Sequence, residues 1–214
     1  MKRRDFSIAV ASSSSIPVMA QNSGFQAGRD YIEITKRANT EALSHKIEVV
    51  DFFWYSCPHC NAFEPLLESW ITKLPVDVHL RRAPVQFKDD FEPQQRLYFT
   101  LESMGKVNEL HGRVFEAIHQ QRRRLTTEAQ IFAWIDTRPE IDAERFKQMY
   151  NSFTIAAKIK KSTQTQNEYA LGGVPAMGVA GKYYVDGATA QNMQRALQIV
   201  DALVQSERQL KLKG

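Results

Sequence analysis

The feature that most constrains the fold is a pair of cysteines at the junction between an apolar segment and an amphipathic one. Residues 47–54 are almost continuously apolar, β-branched and aromatic, which is typical of a strand buried on both faces. The motif Cys57-Pro58-His59-Cys60 comes directly after this strand, and residues 57–74 have apolar side chains at helical spacing. The two cysteines, the only ones in the chain, therefore lie where a buried strand gives way to the start of a helix.

The pattern along the rest of the chain predicts an α/β sheet interrupted by a helical insertion. Residues 76–85 alternate, so with the preceding strand and helix they predict a β-α-β unit with parallel strands. Residues 92–166 are helical in pattern, with a capping box that begins at Thr127. Residues 175–185 predict a β-hairpin, and residues 191–210 predict a final amphipathic helix. We expect four segments: residues 1–20 as an export signal, 21–90 as the first part of the α/β domain, 91–166 as the helical insertion and 167–214 as the second part.

The first twenty residues have the features of a signal peptide. A basic start precedes a mildly apolar stretch, residues 6–18, and Val18-Met19-Ala20 places small residues at the −3 and −1 positions of a cleavage site. The serine run at residues 12–15 supports the alternative of a disordered tail, and Arg3-Arg4 leaves general and twin-arginine export both open. Either export route leads to an oxidising space, where cysteines pair.

The charge balance excludes a strongly basic protein. The chain has 28 Lys and Arg against 24 Asp and Glu, a net charge of +4 that falls to +2 without residues 1–20. Such a small surplus does not support nucleic-acid binding. The run Arg122-Arg123-Arg124 lies in a predicted turn between two helices, where a solvated loop is favoured over a nucleic-acid contact.

The position of the cysteines favours redox chemistry through Cys57. At a helix N-terminus, unpaired backbone N–H groups and the positive end of the helix dipole stabilise an anion. Pro58 is tolerated there because its missing N–H has no helical partner, and His59 adds a nearby cation when protonated. We therefore expect Cys57 to be the nucleophile and Cys60 the buried resolving thiol.

Two other uses of the cysteine pair are weaker. A structural disulfide across two residues closes almost no chain, so its stabilising effect is small. A structural zinc ion takes four ligands, and the chain has no second cysteine pair. The residues thus favour a thioredoxin-like redox motif, with no metal and no cofactor.

Two motifs together resemble a known family. Cys57-Pro58-His59-Cys60, followed much later by Gly173-Val174-Pro175-Ala176-Met177, is similar to the DsbA family of periplasmic thiol:disulfide oxidases. The resemblance covers most of the chain and implies a thioredoxin-like fold with an inserted helical domain. It also implies a monomeric periplasmic enzyme that donates its disulfide to unfolded or partly folded exported proteins. A DsbB-like quinone-linked membrane oxidase would be its second partner.

Other functions remain open beside this one. An exported disulfide reductase or isomerase on the same fold is the nearest alternative. A module that binds a metal or holds a peptide without redox chemistry is the second, although the chain offers few ligands for a metal.

The resemblance also assigns roles to residues away from the cysteines. Pro175 matches the family's cis-proline, which faces the disulfide, and Val174 before it would offer its backbone to an extended substrate. Gly178 stands where some relatives have a bulky aromatic residue, which predicts a shallower groove beside the active site.

Asp51 matches the position of the family's buried acid beneath the resolving cysteine. A carboxylate in an apolar strand is costly, so its presence asks for a reason. With a raised pKa it would accept the Cys60 proton during exchange. The alternative is an edge carboxylate that pairs with Arg81 or Arg82.

Overall fold

A computed structural model of the protein describes residues 24–213, so the predicted signal peptide lies outside the described residues. The strands are β1 Ile32–Glu33, β2 Ile47–Phe53, β3 Val78–Pro84, β4 Ala176–Val179 and β5 Tyr183–Asp186. The helices are α1 Pro58–Ile71, α2 Glu92–Ser103, α3 Val107–His119, α4 Glu128–Ile135, α5 Ala143–Tyr150, α6 Phe153–Glu168 and α7 Met193–Lys213, with a short 3₁₀ helix at Asp89–Phe91. Helices α2 to α6 thus lie between β3 and β4 in the sequence.

The strands form one mixed sheet in the order β1-β5-β4-β2-β3. Strand β2 pairs in parallel with β3 and antiparallel with β4, and β4 pairs antiparallel with both β2 and β5. The predicted β-α-β unit and the predicted hairpin are therefore both confirmed. Because β2 has a neighbour on each side, the segment that leads to the cysteines is a central strand.

Successive side chains of β2 lie on opposite faces of the sheet and pack in different parts of the core. All seven residues are buried. Val49 packs with residues of α1 and α7 on one face of the sheet, whereas Val50 and Phe52 pack with Tyr169 on the other. Since successive side chains of a strand point to opposite faces, Asp51 lies on the same face as Val49, under helix α1.

Helix boundaries follow capping residues that the sequence shows. Thr127 accepts a hydrogen bond from the backbone N–H of Gln130 at the start of α4, as predicted. Helix α1 ends at Ile71, earlier than the predicted end at Leu74. The backbone N–H groups of Lys73 and Leu74 donate to carbonyl oxygens three residues earlier. This is the tighter 3₁₀ pattern that often ends an α-helix. Within residues 24–213 no helix is long and apolar enough to cross a bilayer.

The prediction of a shallow groove at Gly178 is wrong. This glycine lies in the buried strand β4, and a Cβ added to it would be 2.6 Å from the ring of Tyr169. That ring also packs edge-on against Phe52, at 5.2 Å between centroids. The missing side chain makes room for Tyr169 inside the core, so it does not shape the surface beside the cysteines.

Candidate active site

Helix α1 begins at the first cysteine, whose sulfur caps the helix. Cys57 has extended backbone angles, and its Sγ accepts a hydrogen bond from the backbone N–H of Cys60 at 3.4 Å. Pro58 occupies the first helical turn, where no partner for its nitrogen is needed. Both cysteines are free thiols, with Cys57 7% and Cys60 2% exposed. The sulfur of Cys57 thus takes the place that a serine or aspartate oxygen takes at many helix starts.

The two cysteines have very different proton affinities. A hydrogen bond from the Cys60 side chain is the largest cause that lowers the pKa of Cys57, to about 6. Burial opposes this shift, and the backbone N–H groups of Cys60 and His59 and the charge of His59 support it. Burial, with the neighbouring Cys57, raises the pKa of Cys60 above its ordinary value. Near neutral pH the pair therefore holds one thiolate, on Cys57, and one thiol, on Cys60.

The loop before β4 faces the cysteine pair. The peptide bond between Val174 and Pro175 is cis, as the family resemblance implies. The Val174 carbonyl oxygen is 3.5 Å from Cys57 Sγ and accepts its hydrogen bond when the thiol is protonated. Val174 is partly exposed and Pro175 is buried. The structure therefore brings Cys57 and Cys60 together with Val174 and Pro175, which lie at least 114 residues further along the sequence.

A pocket of about 580 Å³ lies beside the cysteine pair. His59, which is exposed, lines it together with Phe63 and Leu66 of α1, the Val174–Pro175 loop and residues 186–193. Leu66 is 43% exposed, a large value for an apolar helical residue. The sequence did not point to this pocket, because its far wall comes from the loop between β5 and α7, which has no motif.

Asp51 lies under α1, inside the protein, with 1% of its surface exposed. Within the described residues neither carboxylate oxygen has a hydrogen-bond partner, and Arg82 Nε is 3.6 Å from Oδ2. Burial raises the pKa of Asp51 to about 7, while Arg82 opposes the shift and Glu64 supports it. The negative charge of Asp51 in turn contributes to the raised pKa of Cys60. The alternative prediction is an edge carboxylate paired with Arg81 or Arg82. It is correct that an arginine, Arg82, lies beside Asp51, but it is wrong that Asp51 lies at an edge, because the residue is buried in a central strand.

Arg82 connects Asp51 to a cluster of charged side chains that no sequence motif indicates. Its Nη2 is 2.7 Å from Glu64 Oε1 and 2.6 Å from Glu68 Oε1, both on α1. His111 of α3 lies with Nε2 3.3 Å from the same oxygen of Glu64. Burial opposes the ionised form, but His111 and Arg82 hold the pKa of Glu64 below its ordinary value.

The histidine of this cluster has a defined role for each ring nitrogen. Burial raises the pKa of Tyr55 well above its ordinary value, so its hydroxyl stays protonated. That hydroxyl is 2.7 Å from His111 Nδ1 and donates to it, since burial lowers the pKa of His111 and leaves the ring neutral. The Nε2–H then points to Glu64. A cavity of about 320 Å³, lined by Glu64, Arg82 and His111 among others, adjoins the cluster.

No cluster of three or more His, Cys, Asp or Glu side chains placed to hold a metal ion occurs among residues 24–213.

The site combines a thiolate at a helix start, a buried thiol one turn further on and a cis-proline loop that faces both. These features, with the helical insertion, define a thioredoxin-like thiol–disulfide oxidoreductase.

Comparison with known proteins places the chain within this class. The profile of the DSBA-like thioredoxin domain matches residues 48–198, so the chain belongs to the DsbA family. It is 37% identical to the thiol:disulfide interchange protein DsbA of Pseudomonas aeruginosa over 199 residues, 93% of each chain. It is 33% identical to the DsbA of Burkholderia cepacia over 186 residues, 87% of each. The crystal structure of Pseudomonas aeruginosa DsbA superposes with a TM-score of 0.84 at 37% identity, covering 89% of this chain and 98% of that one.

The causes of the low Cys57 pKa predict a ranking of two substitutions. Replacing Cys60 with alanine removes the largest stabilising hydrogen bond, so the pKa of Cys57 rises towards its ordinary value of 9.0. Replacing His59 with alanine removes a smaller electrostatic contribution and raises it less. Thiolate absorbance measured against pH gives both values.

Cys60→Ser is the matched control, since its hydroxyl keeps a donor near the sulfur. It should retain more of the shift than Cys60→Ala does. A larger rise in His59→Ala than in Cys60→Ala would show that the imidazole charge is the main cause.

Proposed function

We propose that the protein is a periplasmic dithiol oxidase that donates the Cys57–Cys60 disulfide to partly folded exported proteins. The observation that carries the proposal is the placement of Cys57 Sγ at the start of α1, with a pKa near 6 and a buried partner thiol. An environment that stabilises the thiolate favours the reduced protein, and therefore favours transfer of the disulfide to a substrate. The family membership and the predicted signal peptide support the location and the substrate class.

The reaction has two balanced steps. A substrate thiolate attacks the sulfur of Cys57, the Cys57–Cys60 bond breaks, and Cys60 leaves with the electron pair and takes up a proton. A second substrate thiolate then attacks the substrate sulfur of the mixed disulfide, and Cys57 leaves as its stabilised thiolate. The substrate loses two electrons and gains a disulfide, while the protein becomes the dithiol. Because Cys57 is the better leaving group, the second step is favoured.

The loop and the pocket around the cysteines suit a polypeptide substrate. The backbone of Val174 lies beside Cys57 and is free to pair with an extended chain in the manner of an added strand. Pro175 fixes the position of this loop opposite the cysteines, and Pro58 and His59 shape the helix start. The apolar pocket next to them accommodates a substrate side chain.

Asp51 serves in this proposal as the proton donor and acceptor for Cys60. It is buried under the helix that carries Cys60, and a pKa near 7 allows it to hold or release a proton at neutral pH. In the oxidising direction it protonates the leaving Cys60, and in the reverse direction it takes the proton back. The side chains of Arg82, Glu64 and His111, with the cavity beside them, provide the route by which this proton passes between Asp51 and solvent.

Each turnover leaves the protein as a dithiol, so a further partner must remove two electrons. We propose a DsbB-like quinone-linked membrane oxidase for this role, on the basis of family membership, and a monomer as the working form. An exported reductase or isomerase is the second candidate. The equilibrium with glutathione separates the two, because an oxidase stays largely reduced in a mixed glutathione buffer that leaves a reductase oxidised.

Substitution of the two cysteines is predicted to block the reaction at different steps. Cys57→Ser removes the sulfur that is attacked, so oxidation of a dithiol peptide is abolished. Cys60→Ser keeps the attacking thiolate but removes the resolving thiol, so mixed disulfides accumulate on Cys57. Mass spectrometry of trapped adducts measures both. Stable adducts on Cys60 in the Cys57→Ser protein would reverse the assignment.

The role of Asp51 predicts a change in one step only. In Asp51→Asn, resolution of a mixed disulfide by Cys60 slows by about a hundredfold near neutral pH, the usual contribution of a positioned base. The inflection near pH 7 in its rate profile, set by the Asp51 carboxyl, also disappears. Stopped-flow measurement of single turnovers gives both quantities.

Asp51→Glu restores a carboxyl and should recover most of the rate. Thiolate formation on Cys57, measured in the same variants, tests whether the substitution disturbs the helix start instead. A resolution rate that keeps its inflection near pH 7 in Asp51→Asn would assign the proton to another group.

A further inference from the structure

Three consecutive arginines form an exposed loop between α3 and α4. We call Arg122, Arg123 and Arg124 the arginine loop; all three side chains are exposed. Among the ion pairs and side-chain hydrogen bonds of residues 24–213, none involves these three guanidinium groups. Arg122 has a φ of +55°, a conformation that is uncommon for residues other than glycine, asparagine and aspartate. Within the described residues the loop thus carries positive charge that no side chain pairs with.

The N-terminal side of the arginine loop is tied to the active-site segment. His119, the last residue of α3, has Nε2 2.8 Å from the carbonyl oxygen of Tyr55. Its ring also stacks on Phe115, which packs against the ring of Tyr55. Arg123 is held in turn by a backbone hydrogen bond to Ala117, 2.8 Å long.

The C-terminal side of the loop is tied to the residue before the first cysteine. Leu125 is 2% exposed, and its carbonyl oxygen accepts from Gln94 Nε2 at 3.1 Å. The same nitrogen donates to Ser56 Oγ at 2.7 Å, and Gln94 Oε1 accepts from the Ser56 backbone N–H. Ser56 directly precedes Cys57. The arginine loop is therefore anchored, on both sides, to the two residues that lead into the nucleophile.

The acidic side chains nearest in sequence are engaged elsewhere. Glu116 accepts a hydrogen bond from Gln121, and Glu128 accepts one from Asn151. Neither pairs with the arginine loop. Residues 24–213 accordingly supply no ion pair that neutralises the positive charge beside the active-site segment.

We propose that the arginine loop binds acidic segments of the substrate polypeptide, next to the cysteine that reacts with Cys57. This inference rests on the proposed function, which brings a partly folded polypeptide to the site. Guanidinium groups pair well with carboxylates, and exposed charges act mainly on the rate of encounter. Screening limits their reach to about 10 Å at moderate salt, so only acidic residues close to the reacting cysteine contribute.

The test uses two dithiol peptides of the same length, one with glutamates and one with glutamines beside the cysteine. At low salt, oxidised wild-type protein reacts faster with the glutamate peptide, by at least about threefold, and the difference disappears at high salt. In the triple variant R122Q/R123Q/R124Q the preference is lost at low salt, while the rate with the glutamine peptide is unchanged. Single-turnover kinetics gives all four rates.

A variant with the same charge change at the opposite end of the sheet is the control. Lys36, Arg37 and Lys73 are exposed. The backbone N–H of Ala38 donates to Gly181, and that of Ala180 donates to Glu48 near the start of β2, whereas Cys57 follows the other end of that strand. Lys73 follows the last turn of α1, at the end of the helix opposite Cys57. K36Q/R37Q/K73Q should keep the preference for the glutamate peptide.

Four results would overturn the inference and leave the proposed function standing. The first is a preference retained in the arginine variant, and the second is an equal loss in the control variant. The third is an equal slowing of both peptides, which would assign the loop a structural role. The fourth is loop-dependent binding to anionic phospholipid vesicles without any peptide preference, which would assign the loop to a membrane surface. A wild-type protein that oxidises neither peptide would contradict the proposed function itself, and with it this inference.

Discussion

The candidate active site depends on the hydrogen bonding of one sulfur atom at the start of one helix. Cys57 Sγ accepts from the N–H and the side chain of Cys60, both supplied by the first turn of α1. Both donors lie close to the sulfur because α1 begins directly after the segment that follows β2, with Pro58 in its first turn. The central strand, the helix and the cis-proline loop can therefore be understood as the support of a stabilised thiolate.

Charges buried beneath the helix come at a cost that the fold must offset. Asp51 has no hydrogen bond within the described residues, and its pKa near 7 reflects that loss of solvation. Arg82 stands between it and the two glutamates of α1. His111 adds a contact from the helical insertion, so the insertion closes one side of the cluster. Because the burial of the Asp51 carboxyl lowers the stability of the fold, its presence is better explained by proton transfer than by a contribution to stability.

The local features of the site were predictable from sequence, and the contacts between distant elements were not. The strand, the helix start and the cap at Thr127 follow from neighbouring residues, as does the face on which Asp51 lies. The cis bond at Pro175 was predictable through the family motif. The contacts of Glu64 with His111 depend on how the insertion packs, which one sequence does not show.

The groove at Gly178 illustrates why a single position can mislead. Its missing side chain suggests open space, but Tyr169, from a different element, fills it. The pocket beside His59 shows the reverse case, since its far wall comes from a loop without a recognisable pattern. In both cases the deciding residues belong to another element, and the sequence pattern does not show that the two elements meet.

The central claim is that the folded protein stabilises the Cys57 thiolate, and the stability of the two redox forms tests it most directly. Folding lowers the pKa of Cys57 from 9.0 to about 6, so the thiolate's contribution is absent below the folded value and grows as the pH rises towards the unfolded one. Denaturant melts of both forms, from about pH 6 to about pH 8.5, should show the reduced form gaining on the oxidised form by about 1.4 kcal/mol per pH unit. At the upper end the reduced form should be the more stable, because a disulfide across so short a loop contributes only about 2 kcal/mol. A difference that does not change with pH, or an oxidised form that remains the more stable near pH 8.5, would contradict the account.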